Sequence, residues 1–247
     1  MNGDAKNMNG DAKTLVAITQ PDFFPWLGSV YKLVNVDKFI FLDHVRNRIG
    51  DGIWTKRVKI LENGTSRWLT VPLRKLDGAE FVPINRMLIA HEIPFKDKHL
   101  KSIRNAYGRT QFFSEVMPLV ESWYDDPSPY IADRNMSFLR NLLKIWEISV
   151  EISLSSQLDC HESASALLVE IVQKVGGTAY LFGAGSAAYL ESEVFQEAGI
   201  ELRPQNYQHP RYPQPNSSTF FEGLSIIDAL MNSGLAYTKA LLGPVGT

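Results

Sequence analysis

Five short apolar runs, most of them followed by a stretch of helix length, set the first constraint on this chain. They are LVAIT (15–19), KFIFLD (38–43), SVEISLSS (149–156), TAYLFG (178–183) and IELRPQNY (200–207). A strand apolar along its whole length has both faces covered, as in parallel sheets. Strands that alternate with helices imply right-handed crossovers and helices on the sheet faces. The helical partners are WLGSVYKLVNV (26–36), YIADRNMSFLRNLLKIWEI (130–148), HESASALLVEIVQKV (161–175) and AAYLESEVFQEA (187–198). The expected fold is therefore α/β, a Rossmann-like parallel sheet flanked by helices.

The pattern breaks once, after the second strand. IWTKRVKI and SRWLTVPL flank Asn63-Gly64, a strong hairpin signal. FVPINRMLIA (81–90) reads as a further strand, and PFKDKHLKSIRNAYG (94–108) and QFFSEVMPLVESWY (111–124) read as helices. This predicts a β-hairpin and helical insertion over about residues 46–125 of a single α/β domain spanning 14–247. SIIDALMNSG adds a helix from Ser225 that closes at Gly234. The opening MNGDAKNMNGDAK repeats one polar hexapeptide, and residues 1–13 are expected to be a disordered extension.

Composition narrows the function classes. Formal net charge is −2, so nucleic acid is not an expected partner of the whole chain. Cys160 is the one cysteine, which excludes an internal disulfide and suits a reducing compartment. No apolar run approaches the roughly 18 residues of a membrane span, and no signal-peptide core opens the chain. A cytoplasmic location is expected. Neither a zinc ligand set, a phosphate-binding G-x-x-x-x-G-K-[ST] loop nor a G-x-S-x-G elbow is present, so no metal is assigned and any cofactor stays open. Cys160 beside His161 reads as a buried small apolar residue rather than a nucleophile–base pair.

Ligands of open α/β sheets sit beyond the carboxyl ends of the strands, where strand order reverses. QPDFFPWLGS (20–29) follows the first strand. Its prolines stiffen it, Gly28 permits close backbone approach, Gln20 offers uncharged donors and an acceptor, and Trp26 and Phe23 offer stacking faces or, alternatively, plug the core. YLFGAGSAAYL places Gly183, Gly185 and Ser186 between a strand and a helix, a weak anion-binding motif. PQNYQHPRYPQP (204–215) brings Gln205, Tyr207, His209, Tyr212 and Gln214; His209 is the expected catalytic base unless the stretch is only a rigid surface loop. Arg57 and Lys59 on the hairpin suit an anionic ligand or a solvated strand face. Asp43 ends the second strand, as a catalytic group or a turn cap.

QPDFFPWLGSVYKLVNVDKFIFLD resembles the opening of WbqC-like proteins, Q-P-N-[FY]-x-P-W-x-G-[YF] followed by a Lys and an aspartate-bounded strand. YLFGAGSAAYLESEVFQEAGIEL, NYQHPRYPQ and LSIIDALMNSG resemble that family's C-terminal half, so the likeness spans roughly residues 15–235. It implies Gln20, Pro21, Pro25, Trp26 and Gly28 as family positions, with Asp43, Tyr107, Gly183, Tyr189, Gln205, His209, Tyr212, Pro213, Gln214, Asp228 and Asn232. Asp22 and Ser29 depart from the pattern, where Asn and an aromatic are expected. The layout also resembles the start of H-x-G-H nucleotidyltransferases, but Trp26 and Ser29 stand where the histidines would be, so two-histidine phosphate chemistry is excluded.

The family's association with O-antigen and other surface-polysaccharide loci implies an enzyme of surface-glycan biosynthesis. It would transfer a group from an activated sugar or acyl donor to an amine or hydroxyl. The expected substrate is a small or carrier-linked molecule, anionic if Arg57 and Lys59 face it. The alternative is a non-catalytic protein that binds a nucleotide-sugar or carrier.

Overall fold

The computed structural model describes residues 13–46, 54–74, 82–188, 190–215 and 217–243. The expected N-terminal extension, apart from Lys13, and Tyr189 lie outside the described residues.

Five strands form one sheet: β1 (Leu15–Thr19), β2 (Lys38–Phe41), β5 (Glu151–Leu154), β6 (Ala179–Phe182) and β7 (Glu201–Pro204). Their order is β5-β2-β1-β6-β7, and all four pairings are parallel. The alternation of side chains along a strand explains why these runs are apolar throughout. Leu15, Ala17, Phe39, Phe41, Ala179 and Leu181 enter the core on one face. Val16, Ile18, Ile40 and Tyr180 enter the core on the other.

The helices divide accordingly. α1 (Leu27–Val34), α4 (Ile131–Ile145) and α8 (Ile226–Leu241) cover the first face. α5 (Ala164–Lys174) and α7 (Ser192–Glu197) cover the second. The chain winds outward from β1 through β2 to β5, then crosses back to β6 and continues to β7. The reversal point therefore lies between β1 and β6, as a doubly wound sheet requires.

Between β2 and β5 the chain inserts the antiparallel hairpin β3 (Arg57–Glu62) and β4 (Thr65–Thr70), then α2 (Phe95–Tyr107) and α3 (Phe113–Asp125). Asn63 and Gly64 turn the hairpin with φ of 50° and 74°, the left-handed pair that such a turn needs. The strand expected over FVPINRMLIA does not form. That stretch makes a 3-10 turn, Ile84–Arg86, and isolated bridges to Arg46, Leu73 and Tyr130. Its backbone groups are satisfied by several different segments rather than by one neighbouring strand. Of the helix expected over AAYLESEVFQEA the stretch Ser192–Glu197 forms, as α7, and a separate four-residue helix, α6 (Ala184–Ala187), precedes it. At Gly234 the chain kinks (φ 80°, ψ 166°) and α8 resumes beyond it. A Cβ at 234 would stand 2.7 Å from the Phe112 ring.

Candidate functional site

The loop after β1 is held from every side. Asn135 donates from Nδ2 to the carbonyls of Pro21 (3.0 Å) and Thr55 (2.8 Å), while its Oδ1 accepts from Trp123 Nε1 (2.9 Å). Phe23 donates its N–H to Trp54 O, and Ile226 donates to Pro25 O. Ser225 caps α8 and donates Oγ–H to Phe24 O at 2.9 Å. A loop this buried must pair its backbone groups, which accounts for its stiffness. Phe23 and Phe24 are fully buried, with ring centroids 4.3 Å apart, and Phe24 takes φ 40° to turn its ring toward Phe138. Both phenylalanines are core, and Phe23 has no stacking face to offer a ligand.

Trp26 starts α1 and stays half-buried. Its indole folds over Gly28, where an added Cβ would stand 2.2 Å from the ring. Gly28 thus makes room for a close neighbour, the tryptophan ring. Gly28 O accepts from Gln205 Nε2 at 2.6 Å, which ties the end of β7 to the start of α1. Trp26 also stacks on His209 (6.5 Å, 20°) and meets Tyr207 edge-on at 5.4 Å. The loops after β1, β6 and β7 therefore come together beyond the carboxyl edge of the sheet.

Two ionisable side chains belong to this region, Asp22 in the loop after β1 and Lys32 on α1. Lys32 Nζ sits 4.0 Å from the point where a Gly183 Cβ would be, and Gln205 Oε1 sits 3.1 Å from it. Among the described residues Lys32 is the charged group whose field acts on Asp22, and Asp22 the one whose field acts on Lys32. Neither side chain has a hydrogen bond or an ion pair within 4 Å among the described residues. Burial pushes the Asp22 carboxyl up to about 7, against the pull of Lys32. Burial pulls the Lys32 amine down to about 8, against the pull of Asp22. Both groups are thus held toward their neutral forms. Sequence reasoning passed over both: Asp22 registered as a departure and Lys32 as a family lysine without a role. Lys32 lies six residues after Trp26 on α1, a spacing that by itself says nothing about which strand end it reaches.

The remaining expected site residues fall into three groups. Gln20 donates from Nε2 to Arg46 O (3.3 Å) near the surface, and Gly185 is exposed with open space at its Cα. α6 has only four residues, and Ser186 donates both N–H and Oγ–H back to Gly183 O, so this turn offers little to an anion.

Asp43, Tyr107, Tyr212 and Gln214 are buried elements of the fold. Asp43 accepts from the Ser155 hydroxyl, the Ser156 N–H and hydroxyl, and Asn85 Nδ2; its carboxylate is tied up in joining β2 to β5. Tyr107 and Tyr212 donate to opposite oxygens of Asp228 at 2.8 and 2.9 Å, and Gln214 donates to it at 3.0 Å. His209 is also less open than expected. Nδ1–H donates to Pro210 O at 3.0 Å, and Nε2 is shielded from solvent with no partner, inside a ring of Trp26, Tyr207, Tyr212 and Phe220.

Arg57 and Lys59 stack over Trp68 on the hairpin, at 4.2 and 4.9 Å. Trp68 and its neighbour Trp54 are 40% and 39% exposed. A cleft of about 380 Å³ between Tyr31, Tyr207 and the end of α8 is lined by tyrosines and amides but by neither an acid nor an amine.

The sequence profile of the WbqC-like protein family matches residues 20–240. The chain is 24% identical over 220 residues to the uncharacterized protein Rv1507c of Mycobacterium tuberculosis, covering 89% of this chain and 94% of that one. No solved structure matches the chain.

Proposed function

This chain belongs to the WbqC-like protein family, and from that premise we propose a cytoplasmic enzyme of surface-glycan assembly. It transfers a group from an activated sugar or acyl donor to an amine or hydroxyl. The observation that carries the reading is the meeting of three loops, from β1, β6 and β7, at the reversal point of a doubly wound sheet, the usual ligand edge of such folds. Gln20, Gly183 and Gln205 offer uncharged polar contacts to a donor, and Trp26 a stacking face at the rim. His209 steadies Trp26 from behind instead of acting as the base. Transfer between a bound donor and acceptor depends chiefly on placement, which a wall this firmly anchored can supply. No helix among the described residues is long and apolar enough to cross a membrane.

A non-catalytic binder of a nucleotide-sugar or carrier is the second reading. The exposed Trp54–Trp68 pair with its two cations favours it, since such a face recognises ligands without chemistry. Thermal-shift screening against nucleotide-sugars, acetyl-CoA and acyl carriers, followed by mass spectrometry of each hit, separates the two. The enzyme consumes its hit in the presence of an amino-sugar acceptor; a hit that raises Tm and is recovered intact supports the binder.

A further inference from the structure

We infer that the outer face of the β3–β4 hairpin seats a nucleoside diphosphate: the base lies against the indoles of Trp54 and Trp68, and the phosphates take Arg57 and Lys59. The inference deepens the transfer reading by naming the donor as nucleotide-linked, and it rests on that reading only for the group the nucleotide carries. The hairpin register builds the face. Lys59 pairs with Trp68 and Arg57 with Thr70, and residues two apart on a strand share a face, so Arg57, Lys59 and Trp68 project to one side. Val58, Ile60 and Leu69 enter the core on the other. Arg57 Cζ and Lys59 Nζ lie 4.2 and 4.9 Å from the centroid of the Trp68 ring. Trp54, just before β3, brings a second indole to 5.7 Å at an angle of 45°.

Trp54 and Trp68 are two of the six exposed large hydrophobics among the described residues; side by side, they make one patch rather than two scattered side chains. A strand face built for solvent alone needs no tryptophan. The Lys59 ammonium has no hydrogen bond or ion pair among the described residues, and the Arg57 charge stands beside it over the same ring. Two cations so close, on a chain of net charge −2, complement a diphosphate better than a lone carboxylate. Arginine both stacks on aromatic rings and binds phosphate, and lysine serves phosphate as a point charge.

Stacking on an aromatic side chain accepts any base, so the face selects the class of ligand and not the base. Nucleotide-sugars and acyl-CoA both contain a nucleoside diphosphate ester, and one face can serve either donor. The face is also fixed to the wall where the loops after β1, β6 and β7 meet. Phe23 N–H donates to Trp54 O at 2.9 Å, and Ser225 N–H donates to Lys59 O at 2.8 Å. Ser225 in turn bridges Trp26. The backbone at Trp54 is therefore tied to the loop after β1 directly, and that at Lys59 through Ser225.

Titration of the isotope-labelled whole chain with UDP and with ADP, followed by NMR at the five indole N–H groups, tests the face. The Trp54 and Trp68 signals, identified by Trp54→Phe and Trp68→Phe, should shift with either nucleotide, while those of the buried Trp123 and Trp146 stay. Uridine and inorganic pyrophosphate should each bind roughly tenfold more weakly than UDP, since each engages half of the face. Trp68→Ala and Lys59→Met should each weaken UDP by roughly tenfold. Arg67→Met removes a like charge from the opposite side of the hairpin, where Arg67 pairs with Glu62 at 3.2 Å, and should leave UDP affinity within about threefold. Trp54 and Trp68 signals unmoved by both nucleotides, pyrophosphate as tight as UDP, or equal losses in Arg67→Met and Lys59→Met overturn the inference. A second arm uses UDP-N-acetylglucosamine or acetyl-CoA as donor and glucosamine as acceptor, which tells the two donor types apart. Trp68→Ala should raise the donor KM by roughly tenfold with kcat within about threefold, as lost uniform binding does. Turnover with an unchanged donor KM in that variant overturns the nucleotide seat and leaves the transfer reading standing. UDP that shifts both indoles in a protein that consumes neither donor overturns the transfer reading and leaves the seat standing.

Discussion

Burial holds the carboxyls of Asp22 and Asp228 above the ordinary range, although Asp228 is fully buried and Asp22 only half-buried. Their company differs. Asp228 receives Tyr107, Tyr212 and Gln214, and its own carbonyl accepts from Asn232. It joins α2, α8 and the loop after β7 at a single point. Among the described residues Asp22 receives no hydrogen bond, only the field of Lys32. The difference separates a buried acid that holds a fold together from one kept available: the first has its lone pairs filled, and the second does not. Hydrogen-bond saturation marks the difference most clearly.

The largest expected effect follows from removing the saturated acid. Asp228→Ala strands two tyrosine hydroxyls and an amide in the core and should cost about 3–5 kcal/mol, read as a lowered urea midpoint at constant slope. Asp22→Asn removes no hydrogen bond and should change stability by under about 1 kcal/mol. Equal losses in the two variants would erase the distinction.

The glycines of the same wall divide in the same way. A Cβ at Gly28 strikes the Trp26 ring at 2.2 Å, whereas one at Gly183 meets only Gln205 Oε1 and Lys32 Nζ. Gly28→Ala should therefore cost about 1–3 kcal/mol through overpacking and shift Trp26 fluorescence as the indole is displaced from His209. Gly183 has φ −90°, which alanine adopts freely, so Gly183→Ala should fold with less than about 1 kcal/mol of change. Its effect should fall on ligand affinity instead, at least tenfold by calorimetry with any hit of the nucleotide-sugar and acyl-donor screen. A Gly183→Ala variant that binds as wild type would mean that the ligand lies elsewhere.

The sheet was legible because its signals are local. LVAIT and KFIFLD are apolar at every position, Asn63-Gly64 carries its own turn geometry, and Gly176 and Gly199 stop their helices with φ of 69°. FVPINRMLIA misled because its apolar residues are buried against several distant segments, while its backbone never runs beside one strand long enough to pair. The loop residues misled for a related reason. Tyr212 and Gln214 have the same composition whether they line a cleft or point at one buried acid, and the acid that settles it, Asp228, is 16 and 14 residues away. The Asp22–Lys32 pair was hidden in plain view. It depends on the direction in which α1 leaves Trp26, which is set by Ser225, Asn135 and Gln205 from three remote elements.

The subtlest consequence of the contrast lies in the pH dependence of stability. The Asp22 carboxyl ionises at about 3.8 in the unfolded chain and near 7 in the fold. Between those values the folded state binds more protons, so its contribution to stability falls as pH rises and levels off above 7. The Lys32 amine loses its proton near 8 in the fold and at 10.5 when unfolded. Between those values the unfolded state binds more protons, so stability rises with pH. The pair together should be least favourable between pH 7 and 8, where the carboxylate and the ammonium coexist and burial disfavours both. Both side chains keep some access to water, so each limb should amount to about 1 kcal/mol. Urea unfolding of wild type and variant at matched pH isolates each limb as a difference: Asp22→Asn should flatten the one below pH 7, and Lys32→Met the one above pH 8. If neither difference varies with pH, the two groups ionise as they do in water, and the contrast with Asp228 reduces to one of packing.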